Sequence, residues 1–239
     1  MTLKSVFTNP VAAYSTLSDN WDAPPPDGSA LADVYAWEER RVNAMRHGLA
    51  DPMHYVWVPE MSISLSRREA ARLDWDGYSD EPIGIRGTGG TAVPQGPGTA
   101  NITLFTRHDS APDITSFYAK MCVALQDGFE ALGLHTTIGA RPGSFCDGDY
   151  NILLDDKKLA GTAQRWCRAK NGQTLGCHHV VVLTGGNPAS LCGRIENLYE
   201  FSGQPERYKP DLHNALPIEK PALRNAMQAP LSKLINRKT

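Results

Sequence analysis

Ile85-Arg86-Gly87-Thr88-Gly89-Gly90-Thr91-Ala92-Val93-Pro94-Gln95-Gly96-Pro97-Gly98-Thr99-Ala100-Asn101 is the stretch on which the reading of this 239-residue chain turns. Six glycines fall from Gly84 to Gly98, with Pro94 and Pro97 among them. Glycine reaches backbone angles closed to other residues and lets another group come close to the main chain. Apolar alternation on both sides, Ile83 and Ile85 before and Ile102 and Leu104 after, predicts strand, loop, strand. A loop of this kind suits a backbone cradle for a ligand; the plain alternative is a long hairpin connection. It does not read as a phosphate loop, because no Gly-Lys-Ser/Thr closes it and no amphipathic helix begins there.

Upstream of the loop, residues 1–28 are rich in Asn, Asp, Ser and Pro and read as an N-terminal arm. Leu31, Val34, Val42 and Met45 then share one helical face, with Glu38, Glu39, Arg40 and Arg41 around the turn between and Gly48 as a stop. Strands are expected over His54–Val58 and Met61–Leu65, then a short polar helix over Ser66–Leu73. Downstream, Ser110 as cap, Pro112 in the first turn and Asp113 at the positive end of the dipole open a helix. Its stripe is Ile114, Phe117, Met121, Leu125, Phe129 and Leu132, and Gly133 ends it. Two strands, Tyr150–Leu154 and Lys158–Cys167, are joined across Asp155-Asp156-Lys157, and Asn171-Gly172 turns the chain into a strand ending at Leu183. Asn187-Pro188 starts a helix carrying Leu191, Ile195, Leu198 and Phe201. The tail places Leu223, Met227, Leu231 and Leu234 at helical spacing, with Pro230 expected to kink or split it. This order predicts an α+β fold, a mixed, largely antiparallel sheet flanked by helices, with residues 29–239 as one catalytic domain ending in a helical tail.

Composition narrows the function classes. Hydrophobic content of 41% and charged content of 21% are ordinary for a globular protein. A net charge of -2 offers no case for nucleic acid. No apolar run approaches the length of a bilayer span, and residues 1–20 lack the pattern of a secretory signal, so a cytoplasmic protein is expected. Five cysteines without paired spacing speak against a disulfide framework and against a zinc cluster, so no metal is expected.

Among those cysteines, Cys146 stands out. It lies in the polar loop Gly143-Ser144-Phe145-Cys146-Asp147-Gly148-Asp149, where a thiol is accessible, whereas Cys122, Cys167, Cys177 and Cys192 lie on helix or strand patterns and read as packing residues. A nucleophilic cysteine needs a lowered pKa or a nearby base. Lys158 is the natural second member: it begins a strand whose same-face positions, Ala160 and Thr162, are small enough to leave a narrow pocket wall. The plain alternative is that Lys157 and Lys158 solvate a hairpin turn. His178 and His179 are acid/base candidates, or packed residues at the end of an apolar strand.

At this point the residues resemble a family. Arg86-Gly-Thr-Gly-Gly-Thr-Ala-Val93 resembles the lipoyl-binding loop of the biotin/lipoate protein ligase superfamily, and Lys157-Lys158-Leu-Ala-Gly-Thr-Ala-Gln-Arg165 its second signature; the likeness runs from about Ser29 to about Phe201. Gly143-Ser-Phe-Cys146-Asp-Gly further resembles the cysteine loop of octanoyltransferases and lipoyl amidotransferases, as does the spacing of twelve residues from Cys146 to Lys158. The resemblance implies Cys146 as nucleophile and acyl carrier and Lys158 as the group that activates the thiol and holds the acyl carbonyl. It implies an acyl site formed by Arg86, Thr88, Gly89, Gly90, Thr91, Ala92 and Val93 of the loop, by Asn101, by Gly161, Thr162 and Ala163 of the second signature, and by His179. The implied substrate is an octanoyl or lipoyl thioester. The implied donor is an acyl-carrier protein or glycine-cleavage H protein, the acceptors are lipoyl domains, no cofactor is required, and a monomer suffices.

Departures from the ATP-dependent ligases point the same way: Ile85 replaces one of their arginines, Thr91 a glycine, Gln95 a histidine, and Tyr150-Asn151 stands where they carry Asn-Asp. The tail after Phe201 is shorter than their accessory domain. The alternatives are an ATP- and Mg-dependent lipoate ligase, whose adenylating partner could be separate, and a non-catalytic member that binds acyl groups or lipoyl domains.

Overall fold

The structure, a computed structural model, describes residues 21–235. Most of the expected N-terminal arm, residues 1–20, lies outside the described residues. Trp21 packs against the first helix, and its carbonyl accepts a hydrogen bond from Arg41 Nη1 at 2.8 Å.

The chain runs α1 (Leu31–Arg46), β1 (Met53–Trp57), β2 (Ser62–Ser66), α2 (Arg67–Arg72), β3 (Ile83–Arg86), β4 (Val93–Gln95), β5 (Thr99–His108), α3 (Ile114–Glu130) and β6 (Thr137–Gly139). It continues with β7 (Asn151–Leu154), β8 (Lys157–Arg168), β9 (Thr174–Leu183), α4 (Pro188–Phe201), a 3₁₀ turn (Pro210–Leu212) and α5 (Lys220–Ile235). Six strands form an antiparallel sheet in the order β1-β5-β9-β8-β7-β6. A second sheet, β3-β2-β4, pairs β2 with β3 in parallel and with β4 antiparallel. The α+β class, with a mixed, largely antiparallel arrangement, is as expected.

Strand alternation decides what each face carries. On β5 and β9, Ile102, Leu104, Val180 and Val182 enter a core closed by Met121, Leu125 and Phe129 of α3 and Met227 and Leu231 of α5. The opposite face presents Phe105 and Cys177 to Leu31, Val34 and Trp37 of α1. A third cluster joins Ile63, Leu65 and Val93 of the small sheet to Ile195, Leu198 and Tyr199 of α4 and to Phe145 of the cysteine loop.

Longer-range pairing places the expected strands. Those at His54–Val58 and Met61–Leu65 form, but in separate sheets: β1 lies on the edge of the large sheet and β2 at the centre of the small one. The strands either side of the glycine stretch also belong to different sheets, and part of the stretch is itself β4. Helix α3 is capped by Asp113, whose carboxylate accepts from Ser116 N at 3.0 Å, rather than by Ser110. Ile114 and Phe201, placed on apolar stripes, are each 51% exposed. Pro230 splits nothing; α5 continues through it to Ile235. Among the described residues no helix is long and apolar enough to cross a membrane.

The two adjacent histidines of β9 face opposite sides. His178 stacks on Phe117 with ring centroids 4.5 Å apart and packs against Trp166, so it belongs to the core and not to a site. Burial, then the neighbouring His108 and His179, drive its pKa well below the ordinary histidine value, and burial also lowers His54 and His108. The sign follows by linkage: the unfolded chain takes up these protons at higher pH than the folded protein, so stability falls as pH drops from the ordinary value of 6.5. Glu38 and Glu69, whose folded pKa values lie below the ordinary 4.5, remove stability in the same direction at still lower pH. Urea denaturation at about pH 7.5 and about pH 5 is expected to show a loss on the order of 2 kcal/mol at the lower value. Equal stability at the two values would contradict neutral burial of these rings.

Candidate active site

A narrow pocket opens between the two sheets, lined by apolar Val93, Val181 and Leu183 and by the small residues Gly161 and Ala163. Cys146, Lys158 and Phe145 line it as well, together with Tyr35, Ser64, Arg86 and His179. Cys146 is the one cysteine among the described residues that lines it, and it is half-buried. Cys122, Cys177 and Cys192 are buried in packing clusters, and burial raises all three thiols, Cys122 and Cys192 to about 12. Cys167 is half-buried and packs against the α1 cluster.

Cys146 adopts φ of +45°, the left-handed region that side chains other than glycine rarely occupy. Such a conformation persists only where its surroundings over-determine it, and here they are visible. Lys158 Nζ donates to the carbonyls of Phe145 at 2.6 Å and Cys146 at 2.7 Å. Asp147 accepts from Arg141 N and Asn151 Nδ2, both at 2.7 Å. The lysine therefore lies beneath the cysteine peptide, and two of its three protons are committed to carbonyls. Among the described residues it makes no hydrogen bond to the sulphur.

Lys158 is 2% exposed, while Lys157 is exposed, so the two do not jointly solvate the turn. Nor does Lys158 share a face with Ala160, as strict alternation would have it. Ile152 pairs with Ala160 but Leu153 pairs with Lys158, so one extra residue of β8 is accommodated between them. This bulge sends Leu159 and Ala160 into the core and turns Lys158 into the pocket. Gly161 makes room for it: a Cβ there would lie 3.1 Å from Lys158 Cε. Burial lowers the lysine pKa, opposed by the charges of Cys146 and Asp147.

Arg86 lines the pocket but spends its donors on the loop. It binds Ser64 O at 2.8 Å, Gly89 O at 2.9 Å and Thr91 O at 2.7 Å, with Nη2 4.0 Å from Cys146 Sγ. The glycine stretch is thus shaped from within by a guanidinium. Of the residues that the family resemblance implies for an acyl site, Val93, Asn101, Gly161, Thr162, Ala163 and His179 line this pocket, whereas Thr88, Gly89, Gly90, Thr91 and Ala92 are not among its lining. Thr88 orients His179 through a 2.9 Å bond to Nδ1, and Ala92 N donates to Tyr199 OH at 3.2 Å. Gly90, at φ of +96°, has a close-approach role: a Cβ there would lie 2.6 Å from Cys146 Sγ. Gly90→Ala is therefore expected to displace the thiol and destabilise the protein by about 1–2 kcal/mol. Iodoacetamide labelling of Cys146 checks it; an unchanged labelling rate together with unchanged melting would refute the contact.

Sequence reasoning missed Glu38. The helical repeat from Leu31 through Val34 to Val42 and Met45 does carry position 38 on the buried side, but its charge placed it among the surface residues. In the structure it is buried and accepts from His179 Nε2 at 2.8 Å, Thr103 Oγ1 at 2.8 Å and Tyr55 OH at 2.9 Å. Burial raises its pKa, but the His179 charge and these donors outweigh that and hold it below the ordinary value. His179, stacked on Tyr35 at 5.8 Å, has both ring nitrogens engaged, so it serves as a fixed wall of the pocket. Tyr35, Ser64, Gln95 and Phe145 complete the lining that no local pattern announced; Gln95 Oε1 accepts from Asn101 Nδ2 at 2.7 Å.

The family model described as the lipoyl protein ligase A/B catalytic domain matches residues 31–211, which contain every residue that lines the pocket. The chain belongs to the lipoyl protein ligase A/B catalytic-domain family. Relatives of this family member include an uncharacterised protein of Cupriavidus necator, 35% identical over 60% of this chain and 61% of the relative. An octanoyl-GcvH:protein N-octanoyltransferase of Kyrpidia tusciae is 31% identical over 48% of this chain and 42% of the relative. One of the same description from Geobacillus kaustophilus is 26% identical over 73% and 62%. The chain thus spans from 42% to 62% of the length of these relatives. Solved ligases of the family share the fold. Lipoate-protein ligase A bound with ATP superposes with a TM-score of 0.61 at 19% identity, covering 80% of this chain and 77% of that one. The bipartite lipoate protein ligase of Thermoplasma acidophilum gives 0.54 at 20% identity, covering 80% and 75%.

Proposed function

We propose that the protein is an acyltransferase that moves an octanoyl or lipoyl group, through a thioester on Cys146, to the acceptor lysine of a lipoyl domain. The observation that carries this reading is that Cys146, the pocket-lining thiol, and the buried Lys158, which binds the Cys146 carbonyl, line the same apolar slot. The octanoyltransferase names of curated relatives support it. In the first step the Cys146 thiolate attacks the carbonyl carbon of the donor. With an acyl-carrier protein the bond to the carrier sulphur breaks, and the carrier leaves as a thiol after protonation. With an acylated H protein the group is held as a lysine amide, so the carbon–nitrogen bond breaks and the lysine leaves as an amine after taking up a proton. In the second step the acceptor amine attacks the Cys146 thioester, the amide forms, and the Cys146 sulphur is released while the amine gives up its proton.

Lys158 fits two needs of this sequence. Its positive charge favours the thiolate and the oxygen anion of each tetrahedral intermediate, and burial, which lowers its pKa, eases the loss of a proton relative to an exposed lysine. Exchange between thioesters is nearly thermoneutral and aminolysis runs downhill, and with an H-protein donor one lysine amide is exchanged overall for another, so the scheme requires no nucleotide. The donor is an octanoyl-carrier protein or an octanoylated H protein, and residues 29–239 act as one catalytic unit, as a cytoplasmic monomer.

Mixing the protein with octanoyl-carrier protein or octanoyl-H protein, without ATP, is expected to add the mass of one octanoyl group at Cys146. Failure with both donors, together with lipoate-dependent pyrophosphate release when ATP is added, would replace this reading with an ATP-dependent ligase.

A further inference from the structure

His213 lies two residues beyond the end of the family match at 211, in a segment that touches the Cys146 loop and the Lys158 strand at once. Lys209 N donates to Gly143 O at 2.9 Å, Asn214 N donates to Lys158 O at 2.8 Å, and Lys158 and His213 form an isolated parallel bridge. His213, 4% exposed, stacks on Phe145 with ring centroids 4.4 Å apart.

The hydrogen bonds determine its tautomer. Phe145 N–H can only donate, so His213 Nε2, 3.2 Å away, must carry a lone pair. Lys209 O can only accept, so Nδ1, 3.1 Å away, must carry the proton. The neighbouring Cys192 Sγ, 3.8 Å from Nδ1, does not compete for the Nε2 lone pair. We propose that His213 is a positioning residue for acyl transfer: its neutral, Nδ1-protonated ring anchors the Phe145 peptide and so holds Cys146 in its left-handed conformation over Lys158. This assignment rests on Cys146 being the acyl carrier.

The geometry explains why an anchor is needed there. Lys158 holds the loop at the carbonyls of Phe145 and Cys146, and His213 holds it one peptide plane earlier, at the N–H that joins Phe145 to Ser144. The two anchors fix the backbone on both sides of the Phe145 Cα; with that N–H unpaired, the Phe145 φ angle loses its restraint and the approach of Cys146 to Lys158 loosens. A ring that stayed protonated would present N–H to N–H and repel the peptide. Burial, then the Lys158 charge, lowers the His213 pKa to about 4, which keeps the acceptor lone pair available at neutral pH.

The two amide residues separate this role from simple packing. The glutamine amide reaches the position of Nε2 and supplies an acceptor to Phe145 N–H. The asparagine amide reaches the position of Nδ1, keeps a donor for Lys209 O, and leaves Phe145 N–H unpaired. His213→Asn and His213→Leu are expected to lower the octanoyl-transfer kcat by about 10–100-fold, with the KM for donor within about twofold, because a displaced nucleophile loses rate and not donor binding. His213→Gln is expected to return to within about threefold of wild type. Iodoacetamide labelling of Cys146, read by peptide mapping, should follow the same order without any acyl donor. In the wild-type protein, nitrogen NMR of the imidazole should show a protonated Nδ1 and an acceptor Nε2 at neutral pH.

Wild-type rates in the Asn variant, a Gln variant no better than Asn, or an Nε2-protonated ring would each overturn the assignment. If the variants fail to fold, the wild-type spectrum still decides it. Absence of any octanoyl adduct on wild type would instead overturn the acyltransferase reading, with labelling and tautomer still reporting on His213.

Discussion

Cys146→Ser is expected to lose octanoyl transfer by about a thousandfold or more while the protein stays folded. The substitution keeps the volume and the pocket, and it keeps the backbone bonds that hold the loop. What it removes is an anionic nucleophile and a good leaving group: a serine hydroxyl remains protonated at neutral pH, and the alkoxide of a serine ester leaves far less readily than a thiolate when the acceptor amine attacks. The loop itself is set by Lys158 and by the Asp147 bonds, none of which uses the sulphur. A melting temperature close to wild type is therefore expected alongside the lost activity. Cys146→Gly should be equally inactive yet relieve the left-handed backbone, a relief worth roughly 1 kcal/mol before the lost packing is counted. Intact mass after incubation with octanoyl-carrier protein, and steady-state transfer to a lipoyl domain, measure both effects. Turnover of Cys146→Ser at the wild-type rate would remove Cys146 from the chemistry.

Lys158→Met is expected to reduce kcat by about 10²–10³-fold, the range of a positioned proton donor or oxyanion partner. Its effect on stability is a balance. The Phe145 and Cys146 carbonyls lose their donor, at about 1–3 kcal/mol for each buried group left unpaired, while the desolvation of a buried ammonium is relieved. Lys158→Arg should not restore activity. Gly161 backs the lysine stem so closely that even a Cβ would lie 3.1 Å from Cε, and the wider guanidinium also does not release a proton in this range. A pH signature accompanies the change. The folded lysine has a pKa below its ordinary 10.5, so between those values the unfolded chain binds more protons and wild-type stability gains with rising pH. The methionine variant should lack that gain in alkaline denaturation series. Full activity in the methionine variant would return Lys158 to a purely structural role.

The elements legible from the residues are those that local physics decides. The apolar stripe of α3 from Phe117 through Met121 and Leu125 to Phe129, the helix start at Asn187-Pro188 and the alternation of Ile102 and Leu104 on β5 are statements about neighbours within a few positions, and they hold. The cap of α3 moved from Ser110 to Asp113 because two acceptors a few residues apart compete for the same orphan amides, and the nearer one to the first turn takes them. Glu38 was illegible for a different reason. A carboxylate on an apolar face reads as an exception until its partner is known, and His179 lies 141 residues away in sequence.

By itself the sequence determined the fold class, the family signatures and the two residues proposed to do the chemistry, because each depends on residue type and short spacing. Only the tertiary structure decided how they are presented. It separated the strands flanking the glycine stretch into two sheets, set Arg86 inside the loop as its internal scaffold, and turned Lys158 into the pocket through a bulge. Strand register has a period of two, so one accommodated residue reverses which face a side chain occupies. That choice is made by the partner strand and the core behind it, not by the residues on either side of Lys158.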